Sequence, residues 1–149
     1  PSLTRERAAA EGAEAVDLDG LLKASDYVSM HCPSTEQTQG MVNAEFLARM
    51  RETACLINTS RGDIVDEGAL AEALGNGVIA GAALDVRRSE PPEEGDALIP
   101  TEKVIHTPHA AFYSAESLIE LQEKTAWEIR RVLTGEEPMN LVNPEYRGD

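Results

Sequence analysis

Apolar residues in this chain gather in short runs, and the polar stretches between them carry helical spacing, the pattern of strands alternating with helices. Ala54 to Ile57 and Val78 to Leu84 are near-continuous apolar runs, as expected of buried strands of a parallel sheet, and Val104 to His106 is a final short strand. Tyr27 to His31 reads as a further strand, and Ala13 to Val16 as a short one. A first helix, capped by Ser2 or Thr4, runs through Ala10 and ends at Gly12. A second spans Leu18 to Ala24 behind Asp17. Asn43 caps a third, to about Met50, with Phe46, Leu47 and Met50 on one face. Asp66 caps a fourth from Glu67 to Leu74, with Val65 and Leu70 placed as a hydrophobic staple and Gly75 and Gly77 as its stop. The prolines in Ser89-Glu90-Pro91-Pro92 exclude helix and inner strand there. A long helix runs from Ala115 to Leu133, with Ser114 as cap and Gly135 as stop. Its stripe of Leu118, Leu121, Thr125, Ile129 and Val132 must pack on something. The whole predicts an α/β fold with a mostly parallel sheet.

Composition narrows the partners more than the fold. The 149 residues suffice for a core, but aromatics are only 4%, so small aliphatic side chains must fill it. The net charge of −14 opposes binding to nucleic acid or to an anionic membrane. Cys32 and Cys55 sit in or beside apolar runs and read as reduced thiols, which points to the cytoplasm. No apolar stretch is long enough to span a bilayer, and the polar start does not read as a signal peptide. The acidic cluster Glu93-Glu94-Asp96 reads as a solvated loop.

The candidate chemistry follows strand ends. The loop Asn58-Thr59-Ser60-Arg61-Gly62 leaves one strand, Glu90 follows the next and His109 the last. Right-handed crossovers bring such loops to one edge of a parallel sheet, where open α/β sheets bind ligands. There a guanidinium can clamp a substrate carboxylate, and a histidine can pass a proton to or from a carbonyl or alcohol oxygen. A carboxylate on the other ring nitrogen would fix the tautomer and favour the protonated ring. Hydride must come from a nicotinamide, since no side chain supplies it. His31 and His106 read as structural.

Three ordered motifs carry a family resemblance: Asn58-Thr59-Ser60-Arg61-Gly62 with Ile64-Val65-Asp66-Glu67; Gly81-Ala82-Ala83-Leu84-Asp85-Val86 with Ser89-Glu90-Pro91; and Thr107-Pro108-His109. Over roughly residues 13 to 135 the chain resembles the D-isomer-specific 2-hydroxyacid dehydrogenases. The run Thr107 to Ser114 is most similar to their C-terminal-binding-protein branch, with Phe112 where tryptophan is common; phosphoglycerate dehydrogenases and glyoxylate reductases rank lower. The resemblance implies a partial Rossmann-type, doubly wound sheet with flanking helices and a long C-terminal helix. It implies Arg61 as the substrate-binding arginine, His109 as the acid–base histidine and Glu90 as its partner. It implies NAD as cofactor, met by Cys32, Pro33, Thr35, Thr38, Thr59, Ser60, Arg61, Asp85, His109 and Phe112.

The family's glycine-rich phosphate loop and its ribose-reading acid are expected before this segment, and no G-x-G-x-x-G occurs within it. Residues 1–112 are thus expected to be the C-terminal part of a dinucleotide-binding domain. Residues 113–149 are expected to form a helix and tail returning to a substrate domain. The chain alone is expected to be inactive, to bind NAD weakly and to self-associate across an exposed sheet edge, as a homo-oligomer. The alternative reading is an NAD(H)-sensing binding module of the corepressor kind, without turnover.

Overall fold

The computed structural model describes residues 4–143. They form two compact units that part between Ala111 and Phe112. In the first, helices α1 (Arg5–Ala10) and α2 (Leu18–Ala24) precede strand β1 (Tyr27–Met30); α3 (Ala44–Arg49) leads to β2 (Cys55–Asn58), and α4 (Glu67–Gly75) to β3 (Gly81–Leu84) and β4 (Val104–His106). The strands lie in the order β1-β2-β3-β4, all parallel, with Val28 beside Leu56, Leu56 beside Ala82 and Ala82 beside Val104. The parallel α/β expectation is met.

An order that steps one way across the sheet places right-handed crossover helices on one face. Val28, Met30, Leu56, Ala82 and Leu84 are buried on that face, in one core with Leu22 of α2, Phe46 and Leu47 of α3, and Leu70, Ala73 and Leu74 of α4. The opposite side is open by comparison: Tyr27 is exposed, and Cys55 and Ile57 are half-buried. The helices start where the sequence indicates. Asp17, Asn43 and Asp66 each accept from the backbone N–H three residues on. Thr4 does the same for α1; Ser2, the other candidate, lies outside the described residues.

Three expectations on this unit are corrected. Ala13 to Val16 is not a strand; Ala13 N–H instead closes α1 on Ala8 O at 2.9 Å, and no strand lies beside the segment among the described residues to receive its backbone groups. The apolar run from Val78 becomes strand only at Gly81. Val78 N–H finishes α4 on Ala73 O, and Ile79 is buried without belonging to the sheet. Asp96 is not a solvated acid: it pairs with Arg87 and accepts from the N–H groups of Leu98 and Ile99.

The second unit holds α5 (Ala115–Leu133), bounded as the sequence indicates. Ser114 and Ser117 cap it reciprocally, and Gly135 follows with φ 77°. No residue of this helix is buried, and Leu121, Trp127, Ile129 and Val132 are exposed. The expected packing of its stripe is not found among the described residues.

Candidate active site

Because all four strands are parallel, the chain leaves each of them at the same edge, where the loops after β1, β2, β3 and β4 collect. The loop after β2 is organised by Asn58, whose side chain is fully buried. Its Oδ1 accepts from Ser60 N–H at 3.1 Å and Ser60 Oγ at 2.9 Å, and its Nδ2 donates to Arg61 O at 2.9 Å. The Arg61 guanidinium remains exposed, donating through Nη1 to Ser60 O. A short 3-10 turn over Gly62–Ile64, which the sequence reading lacks, then leads to α4. Gly62 is obligatory there: a Cβ would meet the Arg87 carbonyl carbon at 2.0 Å.

Past β3, Asp85 is 5% exposed and takes three hydrogen bonds. Thr107 Oγ1 and Ala110 N–H donate to its Oδ1 at 2.5 and 2.8 Å, and Ala111 N–H donates to Oδ2 at 3.0 Å. Burial pushes its carboxyl up, but these donors, with the nearby His109, outweigh burial and hold it below the ordinary carboxylate value. Asp85 O accepts from His109 N–H at 2.8 Å. His109 sits at φ 52°, in the left-handed region that few residues other than glycine occupy, histidine being among those enriched there with asparagine and aspartate. The turn is thus fastened to Asp85 at four points.

Glu90 comes from the long loop between β3 and β4. Its Oε2 lies 2.7 Å from His109 Nδ1, and its Oε1 accepts from Arg87 N–H at 2.8 Å. The Arg87 N–H first, and then His109, hold the Glu90 carboxyl below the usual glutamate range. A cleft of about 320 Å³ is lined by Arg61, Gly62, Val86, Arg87, Glu90 and His109, among others. The three residues singled out from sequence therefore meet in one place. A second cleft of about 430 Å³ is also lined by Glu90 and His109, with Asp85, Pro91, Ile99 and Thr107.

The loop after β1 is a self-bonded turn. Thr38 Oγ1 donates to Pro33 O at 2.6 Å and accepts from Thr35 N–H at 2.8 Å. Ser34 Oγ donates to Asp63 Oδ2 at 2.6 Å, which ties this turn to the arginine loop. Cys32 and Cys55 are free thiols, and Cys32 lies 3.9 Å from the Met41 sulfur. The turn 32–38, Thr59, Ser60, Asp85 and His109 lie at the carboxyl ends of the strands, the edge at which open parallel sheets receive ligands. Phe112 belongs to the second unit, with its ring 4.1 Å from that of Tyr113. His31 bonds Ser29 Oγ and His106 bonds Leu98 O, the structural roles expected of them.

Sequence reasoning missed Asn58 as the organiser of its loop, Arg87 with its partners, and the holding task of Asp85. Asn58 had a signal, an amide at a strand end two residues before a serine. Arg87 had none, because Glu67 and Asp96 lie 20 and 9 residues away from it.

The family model for the D-isomer specific 2-hydroxyacid dehydrogenase NAD binding domain matches residues 1–111. The chain belongs to this family. It is 48% identical over 134 residues to a glyoxylate reductase of Korarchaeum cryptofilum, a match covering 90% of this chain and 40% of that protein. It is 41% identical over 143 residues to a D-3-phosphoglycerate dehydrogenase of Synechocystis, covering 96% and 26%. The NAD-complexed D-isomer specific 2-hydroxyacid dehydrogenase of Lactobacillus delbrueckii ssp. bulgaricus superposes with a TM-score of 0.83 at 32% identity, over 95% of this chain and 46% of that one. The chain thus spans less than half the length of these relatives. Their names leave the C-terminal-binding-protein branch without support. The first two carry the names of the two kinds of enzyme that the run after His109 ranks lower.

Proposed function

We propose that this chain is the nicotinamide-side portion of an NAD-dependent oxidoreductase that interconverts a 2-oxo acid and a D-2-hydroxy acid. The observation that carries the reading is the Glu90–His109 pair at 2.7 Å, opening on the cleft that Arg61 also lines. Arg61 binds the substrate carboxylate in two-point fashion and polarises the neighbouring carbonyl. His109, its Nδ1 held by Glu90, delivers a proton from Nε2 to the developing alkoxide, or removes it from the alcohol in the reverse direction. Glu90 stays charged across the neutral range because Arg87 N–H and His109 both hold its carboxyl low. A nicotinamide cofactor, when bound, would supply or take the hydride. Cys32, Pro33, Thr35, Thr38, Thr59, Ser60 and Asp85 are proposed to line its seat.

Residues 1–112 then act as the cofactor-side domain, and 113–149 as the arm that leads to a substrate domain. The exposed stripe of α5 supports this. The unpaired edge of β1, with Tyr27 71% exposed, supports self-association into a homo-oligomer. With a charge of −14, neither nucleic acid nor an anionic membrane is a partner, and no described helix is long and apolar enough to cross a membrane. We place the protein in the cytoplasm. The test is NADH oxidation by the intact protein with glyoxylate. Turnover that Arg61→Ala and His109→Ala each abolish is expected, and normal turnover in either variant overturns the assignment.

A further inference from the structure

Arg87 is the most buried ion-paired cation among the described residues, with its side chain 6% exposed. Its Nε and Nη2 donate to the two oxygens of Glu67 at 3.0 and 2.9 Å, and Nη2 also donates to Asp96. Nη1 is buried with no hydrogen-bond partner among the described residues. Glu67, at the first position of α4, also accepts from Arg88 N–H at 2.8 Å. Ion pairing with Glu67, ahead of burial, holds Arg87 firmly protonated.

A buried ion cluster of this kind is a poor source of stability. Desolvation offsets most of the attraction, and an unsatisfied N–H is a further cost. Its use must lie in where it puts the backbone. The Arg87 peptide does two things: its N–H binds Glu90 Oε1, and its carbonyl carbon lies against Gly62, next to Arg61. One residue therefore touches both loops of the site through its backbone.

We propose that Arg87, anchored to Glu67 and Asp96, is the positioning residue that sets Glu90 against His109 and keeps the Arg61 loop in register with them. The anchor acts on geometry rather than on charge. Glu67 and Asp96 hold the guanidinium, the guanidinium fixes the peptide on either side of it, and that peptide places the Glu90 carboxylate. The catalytic consequence rests on the dehydrogenase reading given above; the placement of Glu90 does not.

The experiment follows the Glu90 carboxyl carbon by 13C NMR through a pH titration of the intact protein, with Glu90→Gln assigning the resonance. Wild type is compared with Arg87→Met, Arg87→Lys and Glu67→Gln. The charged groups that act on Glu90 are His109 and Asp85, beside the hydrogen bond from Arg87 N–H. Removing the negative charge of Glu67 should, by charge alone, lower the Glu90 midpoint; displacement of the Arg87 peptide should raise it. The expected result in Glu67→Gln is a rise toward the ordinary glutamate range. A larger rise is expected in Arg87→Met and a smaller one in Arg87→Lys. Alongside, kcat with NADH and glyoxylate should fall on the order of ten- to a hundredfold while KM changes less. An unchanged or lowered midpoint in folded Glu67→Gln overturns the proposal. So does loss of the fold in all three variants, which would make the cluster purely structural. If wild type shows no turnover, the dehydrogenase reading fails and the Glu90 titration still decides the role of Arg87.

Discussion

Gly62 approaches the Arg87 carbonyl carbon so closely that a Cβ would stand 2.0 Å from it, inside any tolerable contact. The contacting atoms are backbone and cannot swing away. Gly62→Ala is expected to destabilise the protein by about 3 kcal/mol, at the upper end of overpacking costs, read as a lowered urea midpoint. Gly68→Ala is the control. That helical position meets only Asp66 Oδ1 at 3.4 Å, and alanine there should be neutral or stabilising by up to ~1 kcal/mol.

Asp85 predicts a pH dependence of definite sign. Its folded carboxyl titrates below the ordinary value, so its contribution is fully present above about pH 4 and is lost as pH falls through the folded value. Asp85→Asn should cost about 2 kcal/mol at pH 7, because its amide NH₂ meets donors where the carboxylate accepted. The gap between wild type and variant should close in strongly acid solution. Urea titrations at several pH values measure this, and a gap that widens in acid would contradict it.

Asn58 and Glu90 separate binding from chemistry. Asn58→Ala removes the buried amide that shapes the Arg61 loop. It should raise KM for the 2-oxo acid roughly tenfold with a smaller change in kcat, the mark of lost substrate binding. Glu90→Gln keeps the shape but loses the charge beside His109, and should lower kcat about a hundredfold. Steady-state kinetics on both variants tests the division of labour.

Much of this site was legible because its chemistry stands at strand ends. Arg61, Glu90 and His109 follow β2, β3 and β4, and parallel pairing alone brings them to one edge. The capping residues Asp17, Asn43, Asp66 and Ser114 were equally legible, since a cap is decided within four residues. What escaped depends on distant partners. Ala13–Val16 has strand-like residues but no neighbouring strand among the described residues, and Val78 N–H is claimed by the end of α4. Arg87 carries no local signal of its role. Only the fold brings Glu67 and Asp96 to it and turns a surface residue type into a buried one.

The left-handed backbone at His109 also bears on how this protein could decay or be engineered. The left-handed region costs a side chain on the order of 1 kcal/mol, and histidine is among the few residues enriched there. His109→Asn should therefore change the backbone strain little, while taking from the Glu90 carboxylate the ring nitrogen that lies 2.7 Å from it. It is expected to melt somewhat lower than wild type and to lose turnover. Selection for thermal robustness would then tend to keep the histidine, because foldedness and usefulness pull the same way at residue 109.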